Sequence, residues 1–272
     1  LFLLFIMDIN DYLPEGVELL KYADDILAYI IGNDPSDIPQ AIANSVHRWC
    51  EDNMMCLNVA KCKAIVVNPS SFKSFNLTDP NIILIGQTIE IVESYKYLGF
   101  ELSANLNPDL QWARVRAIIR PIEYLLKQLK LLGWSTPMLV NAYRAYCLSH
   151  FNYSACMLTS ASAKAKSEMD AINSRLWRIM GINSDNASQH KLQPIEKYID
   201  DACERILKRI LNNPDHPITK GLPRTQRPNS RFQFLTNRAK KAPYHNSFLQ
   251  KFLRKLRNDT NTQHPRASLY TT

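Results

Sequence analysis

Two apolar runs, residues 17–23 and 26–31, are separated only by Asp24 and Asp25. A connection that short reads as a hairpin of two antiparallel strands with an acidic tip. Two neighbouring carboxylates repel each other, and their cost falls when a divalent cation binds between them. Aspartate is also common in tight turns, where its side chain bonds to nearby backbone. The pair alone favours the turn. The apolar strands on both sides bring the two readings level.

The surrounding pattern is mixed. Residues 1–12 read as the end of a helix, stopped by Pro14 and Gly16. Residues 37–54 read as a helix that Ser36 or Asp37 can cap, with Ile38, Ile42, Val46 and Trp49 at helical spacing. Residues 64–67 read as a short strand. Residues 82–85 and 88–92 flank Gly86-Gln87 as a second hairpin, and residues 97–102 continue the sheet.

From residue 113 the period becomes helical. The spacing predicts helices over 113–132, 136–152, 165–180 and 194–212. Pro121 is a possible kink, and Gly133 and Gly181 suit helix ends. Trp112, Trp134 and Trp177 fall among apolar residues at helical spacing and are expected in a core. Residues 213–243 hold Pro214, Pro217, Pro223, Pro228 and Pro243 among many basic residues and read as irregular. Residues 245–257 read as a basic amphipathic helix with Phe248, Leu249, Phe252, Leu253 and Leu256 on one side. The fold class expected is α+β: a region with an antiparallel sheet at 1–112, a helical region at 113–212 and a basic, Pro-rich tail at 213–272.

Composition narrows the classes. With 272 residues, 46% hydrophobic and 21% charged, the chain is neither disordered nor collagen-like. Its six cysteines, at 50, 56, 62, 147, 156 and 203, are too few for a disulfide scaffold and form no CxxC pair. His47 precedes Cys50 by three residues, but a second close pair of ligands is missing, so a zinc site is not expected. The apolar start at residues 1–6 is too short to span a bilayer and lacks the basic flank of a signal peptide. It reads as a chain that begins inside a fold, in the nucleus or cytoplasm and not secreted.

Charge is divided along the chain. Residues 1–112 carry 6 basic and 15 acidic residues, net −9, while residues 113–272 carry 27 and 10, net +17. Between residues 205 and 257 there are 14 basic residues against one acidic, Asp215. Such asymmetry suits a polyanionic partner, most often nucleic acid. Arg224, Arg227, Arg231, Arg238, Lys240 and Lys241 are the candidate phosphate contacts.

The order of short motifs is more specific than any one of them. The segment from Leu3-Leu4 to Asn10-Asp11-Tyr12-Leu13-Pro14 resembles the LLFLIYINDLP helix that precedes the catalytic hairpin in reverse transcriptases of non-LTR (LINE-like) retrotransposons. Tyr22-Ala23-Asp24-Asp25 resembles that family's F/Y-A-D-D motif. Trp49, then Asn53 and Leu57-Asn58-Val59-Ala60-Lys61, resembles its "W, N, LN, KT" segment, with Cys62 standing where the family has threonine. Tyr95-Lys96-Tyr97-Leu98-Gly99 resembles its KYLG primer grip. The resemblance covers about residues 1–182.

It implies an RNA-directed DNA polymerase with a right-hand architecture, a partial palm followed by a thumb-like region. Asp24 and Asp25 would then be catalytic carboxylates that hold Mg²⁺ or Mn²⁺ for two-metal nucleotidyl transfer. Lys61 would be an acid or phosphate neutraliser near the pyrophosphate. Tyr97, Leu98 and Gly99 would shape the primer-grip turn. An RNA template, a DNA primer and deoxynucleoside triphosphates would be the partners, with no membrane involved. The first catalytic aspartate, the fingers and the PQGSPLSP loop have no counterpart here. Asp8 and Asp11 are not substitutes, since they match the helix after that loop. The expectation is a 5′-truncated copy that does not polymerise alone, and the alternative is a non-catalytic nucleic-acid-binding remnant.

Overall fold

The computed structural model describes residues 2–31, 37–67, 81–221, 248, 249 and 251–255. It is an α+β chain of two compact units, Leu1–Leu106 and Asn107–Thr272. Among the described residues no helix is long and apolar enough to cross a membrane.

In the first unit the opening segment is not one helix. A short α1, Phe2–Phe5, gives way to a tighter 3₁₀ turn at Asp8–Tyr12. The break turns Ile6 and Ile9 inward, where they pack with Trp49 and Cys50. The Trp49 indole donates to Asp8 Oδ1 at 2.8 Å, so Asp8 serves this contact. Lys21 Nζ donates to the Ile6 carbonyl and to Asn10 Oδ1, each at 3.2 Å, and covers carbonyls that the broken helix leaves open.

Strands β1, Glu18–Tyr22, and β2, Asp25–Tyr29, form the expected hairpin. Its register pairs Tyr22 with Asp25 and Glu18 with Tyr29, whose hydroxyl donates to the Glu18 carboxylate. The two-residue turn is therefore Ala23-Asp24, not Asp24-Asp25. Asp25 belongs to β2. Ala23 takes a φ of +51°, as the first position of a primed hairpin turn requires.

Helix α2, Ile38–Asp52, agrees with the periodic run. The short strands that follow do not build one antiparallel sheet. β3, Lys63–Ala64, pairs with β6, Glu90–Ile91, in parallel, while β4, Ile83–Leu84, pairs with β5, Gln87–Thr88. The β4–β5 turn is Ile85-Gly86, with φ of +50° and +70°, one residue earlier than the Gly86-Gln87 expected. Gln40 on α2 brackets Ile83, accepting from its amide at 2.7 Å and donating to its carbonyl at 2.8 Å. A second small core of Ala43, Ile82 and Leu84 lies beneath.

The run 97–102 is not a single strand. It turns back at Leu98-Gly99, with φ of +47° and +82°, so that β7, Ser94–Tyr97, pairs with β8, Phe100–Ser103. The described strands of this unit thus form four separate two-stranded ladders.

The second unit is helical and opens before residue 113. Asn107 caps α3, Pro108–Leu131, by accepting from the Asp109 amide at 3.0 Å, and Pro108 fits the first turn. Pro121 lies inside α3, where it removes one backbone donor. The second predicted helix is longer than read: α4, Thr136–Tyr143, runs through a π-helical segment, Arg144–Leu148, into α5, Ser149–Leu158. Then come α6, Ala163–Met180, ended by Gly181 at φ +78°, and α7, Ile195–Leu211. A short α8, Pro217–Gly221, stands where an irregular segment was expected; residues 222–247 lie outside the described residues.

The core of this unit gathers Tyr143, Phe151, Leu158, Leu176 and Leu207. Two polar pairs are buried inside it, Gln111 Nε2 to Ser154 Oγ at 2.7 Å and Tyr143 Oη to Asn173 Oδ1 at 2.5 Å. Trp112 is buried and donates to Glu168 Oε2 at 3.0 Å. Trp134 contradicts the expectation and is 38% exposed, because it follows Gly133 in the bend between α3 and α4. Residues 248, 249 and 251–255 are helical, and Phe252 and Leu253 are fully buried in the same core. Burial of that size contributes about 2 kcal/mol per side chain. Lys251 pairs with Asp200 at 2.7 Å and Lys255 with Glu204 at 2.8 Å.

Candidate metal and nucleic-acid site

The β1–β2 hairpin sets the geometry of the acidic pair. Residues directly opposite in an antiparallel ladder share a face, so Asp25 lies on the face of Tyr22, Leu20 and Leu27. Asp24 stands in the turn. Both carboxylates are exposed, as are Leu20 and Tyr22. The hairpin presents an apolar and aromatic face that ends in two carboxylates.

The charge of this tip reaches the β7–β8 hairpin. The Tyr97 phenol is held above the usual tyrosine range, first by burial and then by the negative charge of Asp25. Its hydroxyl oxygen is buried with no hydrogen-bond partner among the described residues. On the same strand, the Tyr95 hydroxyl donates to the Lys61 carbonyl at 3.5 Å. One hairpin therefore touches the Lys61 backbone and lies within electrostatic reach of Asp25. Leu98 and Gly99 form its turn. Positive φ at both positions is the requirement of a type I′ turn, which glycine meets without cost and leucine does not.

Lys61 ends a 3₁₀ turn, Val59–Lys61, and is exposed. Its ammonium makes no hydrogen bond or ion pair among the described residues, whereas Lys63 is bound to Glu90 at 2.7 Å. Arg224, Arg227, Arg231, Arg238, Lys240 and Lys241 lie outside the described residues.

Among the described residues no group of three or more histidine, cysteine, aspartate or glutamate side chains could hold a metal ion. Asp24 and Asp25 offer hard oxygen donors of the type that Mg²⁺ accepts. Magnesium commonly takes one or two carboxylates and completes its shell with water and phosphate oxygens. The pair therefore fits a weakly held ion, not a closed cage.

Tyr95 was not singled out by sequence reasoning as a link to Lys61, and the approach of Tyr97 to Asp25 joins residues far apart in the chain. No local pattern signals either. Comparison of the chain with protein families, with curated proteins and with solved structures finds no match.

Proposed function

We propose that this chain is the palm-hairpin and thumb portion of an RNA-directed DNA polymerase of the non-LTR retrotransposon type. The observation that carries the reading is the acidic tip of β1–β2, with Tyr97 of the KYLG hairpin within electrostatic reach of Asp25. Asp24 and Asp25 would hold Mg²⁺ or Mn²⁺. A divalent ion there supplies Lewis-acid stabilisation of phosphate charge during nucleotidyl transfer.

The chain's own groups do the rest. The Leu98-Gly99 turn offers backbone to the primer end, since glycine permits close approach. The exposed Lys61 ammonium can neutralise phosphate or give up a proton to a leaving pyrophosphate. Two carboxylates are short of the three that the family uses, so polymerisation by these residues alone is not expected.

A second reading is favoured by the charge division. A non-catalytic nucleic-acid-binding remnant would use the net +17 of residues 113–272. Its basic surface is smaller than the sequence count, because Lys251 and Lys255 are already paired with Asp200 and Glu204.

The test is photocross-linking of a DNA primer, carrying a photoreactive 3′ nucleotide and annealed to an RNA template, in the presence of Mn²⁺. The polymerase reading expects adducts within residues 95–100 that are lost in Asp24→Asn/Asp25→Asn. Adducts confined to residues 107–272 and insensitive to those substitutions would favour the binding remnant.

A further inference from the structure

Helices α5 and α7 run antiparallel, and two interhelical hydrogen bonds fix their register. Arg205 Nη2 donates to Asn152 Oδ1 at 3.4 Å, and the Thr159 hydroxyl donates to Asp200 Oδ1 at 3.2 Å. Halfway between these bonds stand Cys156 on α5 and Cys203 on α7, one turn along from the Thr159–Asp200 bond on the same pair of facing surfaces, and each thiol's acidity is set first by the other. Ala155 and Ala202 lie beside them, both buried. Side chains that small let two helices approach closely.

We propose that Cys156 and Cys203 are a redox-active pair that a hydroperoxide converts into a disulfide joining α5 to α7.

The two thiols are not equivalent. Cys203 is fully buried, while Cys156 is partly exposed. The neighbouring Cys203 favours the Cys156 thiolate, while Cys156 and burial hold the Cys203 proton in place. Cys156 is thus the nucleophile and Cys203 the resolving thiol. The Cys156 sulfur attacks one peroxide oxygen and the O–O bond breaks. The other oxygen leaves with a proton as alcohol or water, and Cys156 becomes a sulfenic acid. The Cys203 sulfur then attacks the Cys156 sulfur. The S–O bond breaks and water departs with the Cys203 proton. Two thiols lose two electrons, and one hydroperoxide gains them.

Geometry favours the second step. The interhelical bonds on either side already set the two side chains opposite each other, and a disulfide tolerates Cα separations of about 4.4–6.8 Å. Cys62 and Cys56 lie within electrostatic reach of Cys50, but among the described residues no pair of interhelical bonds sets any two of these three opposite each other. Cys147 is buried and its thiol is pushed up to about 12 by burial. Burial likewise raises Cys50. Cys56 is exposed and is the natural site of unspecific oxidation.

The experiment treats the full native chain with hydrogen peroxide, alkylates the remaining thiols and maps the peptides without reduction. The expected result is a linked pair of peptides carrying Cys156 and Cys203, lost on reduction. Cys203→Ser should instead leave Cys156 as a sulfenic acid that a 1,3-dione captures. If the variant does not fold, the wild-type map decides alone. Both residues still alkylated after Cys56 has been oxidised would overturn the proposal, and so would Cys156 linked to any other cysteine.

Discussion

Asp25 and Tyr97 sit on different hairpins, yet the charge of the Asp25 carboxylate reaches the Tyr97 phenol and helps hold its proton. Two motifs far apart in the chain are thereby neighbours. The Tyr97 hydroxyl is buried beside this charge without a hydrogen-bond partner among the described residues. A buried polar group in that condition costs stability.

Removing the hydroxyl should therefore do no harm. Tyr97→Phe is expected to unfold in urea at the same or a higher concentration than the wild type, gaining up to about 1 kcal/mol. A loss of more than about 1 kcal/mol would mean that the hydroxyl is bonded in solution.

The turn beside the acidic pair carries strain of its own. Ala23 holds a φ of +51°, a region that costs an L-residue about 1 kcal/mol and glycine almost nothing. Ala23→Gly should raise stability by up to about 1 kcal/mol in urea unfolding, offset in part by glycine's greater entropy when unfolded. A clear loss would show that the turn is not held in this conformation.

In the helical unit, Tyr143→Phe should behave in the opposite way to Tyr97→Phe. It leaves Asn173 buried without its donor. The expected cost is about 1–3 kcal/mol, read from thermal or urea unfolding. Tyr143→Phe with wild-type stability would contradict the buried pair.

Acid should loosen the attachment of residues 251–255. Hydrogen bonds from Lys255 and then Lys208 hold the Glu204 carboxyl below the usual glutamate range. A carboxyl depressed in the folded state adds stability above its unfolded value, about 4.3, and loses it as pH falls through the folded value. Glu204→Gln should therefore flatten the fall in stability below about pH 4. An unchanged acid limb in that variant would remove Glu204 from the account.

Much of the local structure was legible in the sequence, and the failures have physical causes. Helices at 37–54, 165–180 and 194–212 were readable because an apolar stripe at a period of 3.6 persists for several turns. Gly181 marked its helix end. Turn positions were less legible. Residues 17–31 alternate too weakly to say which two residues bend, and the register moved the turn one residue earlier, onto Ala23-Asp24. The β7–β8 turn was hidden, since leucine is a poor turn residue and 97–102 reads as one apolar run. The start of α3 is signalled by Asn107-Pro108, a cap and first turn that lie ahead of the residues with a clear apolar period. In the candidate site the adjacent aspartates were plain. The approach of Tyr97 to Asp25, and of Cys156 to Cys203, depends on tertiary packing that no local pattern encodes.

The proposed function requires a weak divalent-ion site at Asp24 and Asp25, within electrostatic reach of Tyr97. The most direct measurement is Mn²⁺ titration of the isotope-labelled chain, followed by paramagnetic broadening of its NMR resonances. Broadening is expected to begin at residues 23–26, to extend to Tyr97 and to disappear in Asp24→Asn/Asp25→Asn. Broadening that is unchanged in that variant, or centred elsewhere in the chain, would contradict it.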